Sequence, residues 1–119
     1  MDQETFRATL WQFTGSSEFY RHVFGTLQYT EGVKFLADEG GLWWLIDLVA
    51  SLQSRARKDS ALREFQLWEL KVADGEATLT CSRDSEDEAF REEIEYTDCL
   101  LDYVRLYVEN RVMLLPSEH

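Results

Sequence analysis

Positive charge is scarce in this chain: 12 Lys and Arg stand against 23 Asp and Glu, giving a formal net charge of -11 at pH 7. That balance repels phosphates and anionic lipid, which argues against direct nucleic-acid binding and membrane-surface attachment, and makes a basic protein surface the complementary partner. Histidine is scarcer still, with His22 and His119 alone, and the two cysteines, Cys81 and Cys99, have neither a second pair nor clustered histidines beside them. A disulfide scaffold and a zinc site are therefore not expected, and both thiols are read as reduced. No long apolar run occurs: "LWWLI" stops at Asp47, far short of the ~20 residues of a spanning helix. The start, "MDQETFRATL", is acidic where a secretory signal is basic. The expectation is a cytoplasmic protein of a bacterial host cell. G-x-S-x-G and H-E-x-x-H are absent, and the glycines are dispersed rather than gathered in a phosphate loop. No cofactor, metal or catalytic residue is indicated.

What the chain does have is apolar and aromatic material, 45% and 13% of its 119 residues, enough for one packed domain over residues 1–119. Asp2 is placed to cap a helix whose Phe6, Leu10 and Phe13 recur on one face, with Gly15 as its left-handed stop and Ser16 or Ser17 opening a short turn into Phe19 and Tyr20. Thr30 caps a second helix, "EGVKFLADE", which buries Val33, Leu36 and Ala37 and ends at Gly40 and Gly41. A third, "LWWLIDLVASLQSRARK", carries Asp47, Ser51, Ser54 and Lys58 as one polar stripe and reads as the central core helix.

From residue 64 the apolar period changes to two. "EFQLWELKVADGEATLTCSR" reads as a hairpin about Asp74-Gly75, a type I′ pair that sets Val72 against Ala77, Leu70 against Leu79 and Trp68 against Cys81. "FREEIEY" continues the alternation, with Phe90, Ile94 and Tyr96 inward and Arg91, Glu93 and Glu95 outward. "YVRLYVENRVMLLP" reads as a last hairpin that turns at Glu109 to Arg111 and stops at Pro116. The expected fold is α+β in two layers, about three N-terminal helices packed on an antiparallel sheet of about five strands.

The series "FTG", "YRH", "YTEGVKFLA", "WLIDLVAS", "FQLWELKV" and "LLPSE", spread over nearly the whole chain, resembles an uncharacterised family of small bacterial proteins borne on plasmids and phages. The resemblance implies one domain, an intracellular setting and a mobile-element origin, and it brings no activity or catalytic residue with it. His119 stands where the resemblance leads one to expect an aromatic last residue, and the acidic stretch after Cys81 reads as this chain's own elaboration.

Two places compete as the functional site. "DSEDEAFREEIEYTD", residues 84 to 98, holds eight carboxylates and one arginine. Asp84, Glu86, Asp87, Glu88, Glu93 and Glu95 are its partner-binding candidates, because strand residues two apart lie ~6.6 Å from each other on one face and duplex DNA also presents charge as regular rows. On that reading the protein is a non-enzymatic inhibitor from a mobile element, such as an anti-CRISPR or anti-restriction protein filling the basic nucleic-acid channel of a defence enzyme. The plainer reading of the same charges is solubility and protection of a sheet edge. The alternative site is Tyr20, Arg21 and His22, serving an interaction domain or a small cryptic enzyme; the three are expected to act mainly in packing and hydrogen bonding.

Overall fold

The computed structural model describes residues 2–14, 18–22, 25, 27–95, 97, 99 and 101–119. Asp2 Oδ1 accepts from Thr5 N at 2.8 Å and starts α1 (Gln3–Leu10), which buries Phe6. The helix closes with Trp11 as its C-cap, so Phe13 packs from the segment beyond it, its ring 5.3 Å from Phe35. Gly15, Ser16 and Ser17 lie outside the described residues. Two strands of three residues follow, β1 (Phe19–Arg21) and β2 (Gln28–Thr30). Thr30 Oγ1 then accepts from Val33 N at 3.2 Å and caps α2 (Glu31–Gly40), which buries Gly32, Val33, Leu36 and Ala37 and ends in the left-handed Gly41 at φ 65°.

The helix expected over 42–58 is broken at Leu52 into α3 (Trp43–Ser51) and α4 (Gln53–Ala56). The break turns Gln53 into the core, where its amide meets that of Gln66 in two reciprocal bonds of 2.8 and 2.9 Å. Gln66 Oε1 also accepts from Trp68 Nε1 at 2.8 Å, and the remaining amide hydrogens go to the carbonyls of Val49 and Leu62. A buried polar cluster is tolerated because every member has its partners. A further helix, α5 (Ser60–Glu64), starts where Asp59 Oδ1 accepts from the N–H groups of Ala61 and Leu62.

The remaining strands are β3 (Phe65–Ala73), β4 (Glu76–Asp84), β5 (Asp87–Ile94), β6 (Tyr103–Glu109) and β7 (Val112–Leu114), and a 3-10 turn (Pro116–Glu118) ends the chain. Among the described residues, these strands join β1 and β2 in one seven-stranded sheet in the order β1-β2-β7-β6-β3-β4-β5. This corrects the expectation of an antiparallel sheet of about five strands under three helices. The sheet has seven strands and is mixed, because β2 runs parallel to β7. The two missed strands, "FYR" and "QYT", are too short to display an alternating period, and the parallel pairing depends on where β7 lies after its turn rather than on any local pattern.

The β3–β4 hairpin has the expected register, Val72 facing Ala77, Leu70 facing Leu79 and Trp68 facing Cys81, about Asp74 at φ 55° and Gly75 at φ 77°. The β6–β7 hairpin turns on Asn110 and Arg111, both at positive φ, and pairs Val108 with Met113. One sheet face therefore gathers Trp68, Leu70, Leu79, Cys81, Val104, Leu106, Val108 and Met113 into the core with Ile46 and Val49 of α3, while Val72 and Ile94 are half-buried at its margin.

The terminal turn is tied back to α2. Glu118 Oε1 accepts from Thr30 Oγ1 at 2.6 Å and from Leu115 N at 3.0 Å, and Oε2 accepts from Gly32 N at 3.3 Å. A carboxylate at a helix N-terminus satisfies an otherwise orphaned N–H and is favoured by the helix dipole. Two stretches far apart in sequence, "YTEG" and "LPSE", are thus one structural clamp.

Candidate interaction site

The acidic stretch forms the outer hairpin of the sheet, with β5 as an edge strand. Asp84 ends β4, Asp87 and Glu88 begin β5, and only Ser85 and Glu86 turn the corner. Asp84 Oδ1 accepts from Glu86 N at 2.8 Å and closes that corner. Arg83 then ties the hairpin across its turn and to the N-cap of α5, while Arg91 pairs within β5. Arg83 bridges Asp87 at 3.0 Å and Asp59 at 2.5 Å, and Arg91 grips both oxygens of Glu88 at 2.9 Å. Glu93 accepts from Thr78 Oγ1 at 3.0 Å across the ladder. Glu95 falls on the bend after β5 rather than on the strand, and Tyr96, expected inward, lies outside the described residues. Glu92 shares the inward face with Phe90. It pairs with Arg55 at 2.8 Å, and that guanidinium lies 4.2 Å from the Phe90 ring centre. Among the described residues no cation lies within salt-bridge distance of Glu86, Glu93 or Glu95, and all three are exposed.

The Arg83–Asp59 contact has a pH signature. The Arg83 hydrogen bond, opposed by partial burial, holds the Asp59 carboxyl below its usual value of 3.8. A depressed carboxylate contributes stability above that value and loses it as pH falls. Replacing Arg83 with Gln should lower the melting temperature at about pH 7 and matter progressively less toward about pH 3. An equal loss at both pH values would remove this pair from the list of hairpin supports.

Tyr20, Arg21 and His22 do not converge. Successive strand residues point to opposite faces, so Tyr20 stacks inward on Tyr29 at 5.5 Å beneath Lys34, while Arg21 is exposed. Partial burial, followed by the nearby Glu18 carboxylate, raises the Tyr20 phenol above its ordinary value. His22 is 4% exposed, its N–H donates to Leu27 O at 2.9 Å, and its Nε2 lies 2.7 Å from Asp47 Oδ1. Asp47 does not pair with Ser51, whose hydroxyl instead donates to Leu48 O at 2.8 Å. A histidine oriented by a carboxylate is a familiar half of a catalytic arrangement, but here the imidazole is buried, and among the described residues neither Tyr20 nor Arg21 hydrogen-bonds to it. The pair ties the end of β1 to the outer surface of α3.

Cys81 is enclosed as well, and burial pushes its thiol up to about 12, which leaves it inert as a nucleophile. Among the described residues, no group of three or more His, Cys, Asp and Glu is arranged to hold a metal ion. Among the described residues, no helix is long and apolar enough to cross a membrane. The pairing of Arg83 with Asp87 and of Arg91 with Glu88 escaped sequence reasoning, because the same spacings also relate Arg83 to Glu86 and Arg91 to Glu95 and so do not single out the partners.

No curated protein and no solved structure matches the chain. Residues 4–119 do match the family model described as "Family of unknown function (DUF6876)", and the chain belongs to that family.

Proposed function

We propose that this protein is a non-enzymatic binding module whose β4–β5 edge meets a basic protein surface. The observation that carries this reading is the contrast within one hairpin: Asp87 and Glu88 are held by Arg83 and Arg91, while among the described residues Glu86, Glu93 and Glu95 have no cation within salt-bridge distance. Carboxylates carried by a paired hairpin need little backbone ordering when a partner arrives, and exposed charges of one sign steer and accelerate encounter. The enclosed His22 supports a binding role over a catalytic one.

In its narrower form the proposal is an inhibitor from a phage or plasmid, of the anti-CRISPR or anti-restriction kind, filling a basic nucleic-acid channel. Arg91 interrupts the row between Glu88 and Glu93, so the broader form is our conclusion. Competition by duplex DNA for the captured partner tests the narrower one.

The test compares the wild-type chain with a Glu86→Gln, Glu93→Gln, Glu95→Gln variant as baits in bacterial lysate, followed by affinity measurement on the captured basic protein as salt rises. Loss of at least about tenfold in affinity, with a flatter salt dependence, is the expected result. Equal affinity and equal salt dependence for the two baits would leave the acidic edge a solubility device.

A further inference from the structure

The sheet is interrupted near its middle. β6 pairs with β3 from Tyr103 to Glu109, but β7 covers its other side only at Tyr107, Val108 and Glu109. The direction of the uncovered main-chain groups can be fixed. Val72 N donates to Asp102 O at 2.9 Å, so Asp102 faces β3. Main-chain groups alternate sides along an antiparallel strand. Those of Tyr103 and Arg105 therefore point away from β3, into the gap that β7 leaves. β7 cannot continue there, because Pro116 has no N–H to give and Glu118 draws the turn away to α2.

A cavity of about 120 Å³ occupies this gap, walled by Leu10, Leu36, Leu101, Val104, Leu115 and Pro116. An apolar cavity of about 150 Å³ admits benzene, so this one suits a single aliphatic side chain. Trp11 stands over it, 67% exposed, among the few large apolar side chains left in water. Arg7 lies at its mouth. It uses Nε and Nη2 on Gln3 and Nη2 on Asp102, and among the described residues no hydrogen bond occupies Nη1.

We propose that this notch receives the carboxyl-terminal residues of a partner protein as an added stretch of strand. The partner's main chain completes the ladder opposite Tyr103 and Arg105, a span of about 6.6 Å that corresponds to two residues. Its last apolar side chain fills the cavity beneath Trp11, and its terminal carboxylate meets Arg7 Nη1 as a charge-assisted bond. The notch lies three strands in from the β5 edge, so this contact and the acidic one are separate.

The test uses the full chain, labelled with ¹⁵N, and hexapeptides ending in Leu, Val or Ile, each made with a free carboxylate and as the C-terminal amide. The expected result is a shift of the Tyr103 and Arg105 amide signals by the free-acid peptides. Binding should weaken at least about tenfold for the amides and for Arg7→Gln or Trp11→Ala. Trp11 is exposed and Arg7 half-buried, so the dispersion of each variant's amide spectrum is checked against wild type for an intact fold, and the variant lacking Glu86, Glu93 and Glu95 charges should bind the peptides normally. No shift at Tyr103 and Arg105 up to millimolar peptide, or equal binding of acid and amide, would overturn the proposal.

Discussion

Replacing Trp68 with alanine should destabilise the protein by about 4 kcal/mol, the largest loss expected from any single core truncation. The ring is 1% exposed, meets Phe90 edge-on at 5.8 Å, and donates from Nε1 to Gln66 Oε1. Alanine removes the packing, opens a cavity at the junction of sheet and helices, and takes one partner from the Gln53–Gln66 cluster. For a domain whose whole stability is about 5–15 kcal/mol, the melting temperature should drop by roughly 15 °C. Trp68→Phe keeps most of the packing and loses the N–H, so its cost should be well under half as large. A Trp68→Ala melting temperature within about 3 °C of wild type would place the core elsewhere.

The second large effect runs against helix propensity. Gly32 lies in the first turn of α2, where alanine is intrinsically better by about 1 kcal/mol. A Cβ there would come within 2.6 Å of Glu118 Oε1 and 2.7 Å of Leu115 Cδ1. The carboxylate is the end of a flexible side chain, but it is held by Thr30, Gly32 and Leu115, and Leu115 is itself buried. Gly32→Ala should therefore cost about 2 kcal/mol through lost charge-assisted bonds. The same substitution should be much less harmful once Glu118→Ala has already removed the clamp, a coupling that a double-mutant cycle measures directly. A stabilised Gly32→Ala variant would mean that the terminal turn does not hold α2.

Local chemistry was legible in the sequence where one signal sufficed. Asp2 and Thr30 cap helices as side-chain acceptors, Gly41 stops α2, and Asp74-Gly75 sets the β3–β4 register. What failed needed tertiary information. The strands of Phe19–Arg21 and Gln28–Thr30 have too few residues for a pattern, and the parallel contact of β2 with β7 joins segments about eighty residues apart. The break at Leu52, which turns Gln53 into the core, could not be foreseen without the buried partner Gln66. At the acidic hairpin the composition was plain from the start, whereas the division into pinned and unpaired carboxylates depended on the positions of Arg83 and Arg91. For Tyr20, Arg21 and His22, strand alternation sends Arg21 to the face opposite Tyr20, and Asp47, from the polar stripe of α3, supplies a partner for the buried histidine beyond the strand's end.

Hydrogen–deuterium exchange of the chain alone and bound to its captured basic partner bears most directly on the binding edge. Slowed exchange across residues 84–95, with the α3 surface around Asp47 unchanged, is the result expected if the β4–β5 edge is the contact. Unchanged exchange in that hairpin, with protection appearing on another face of the bound protein, would contradict it.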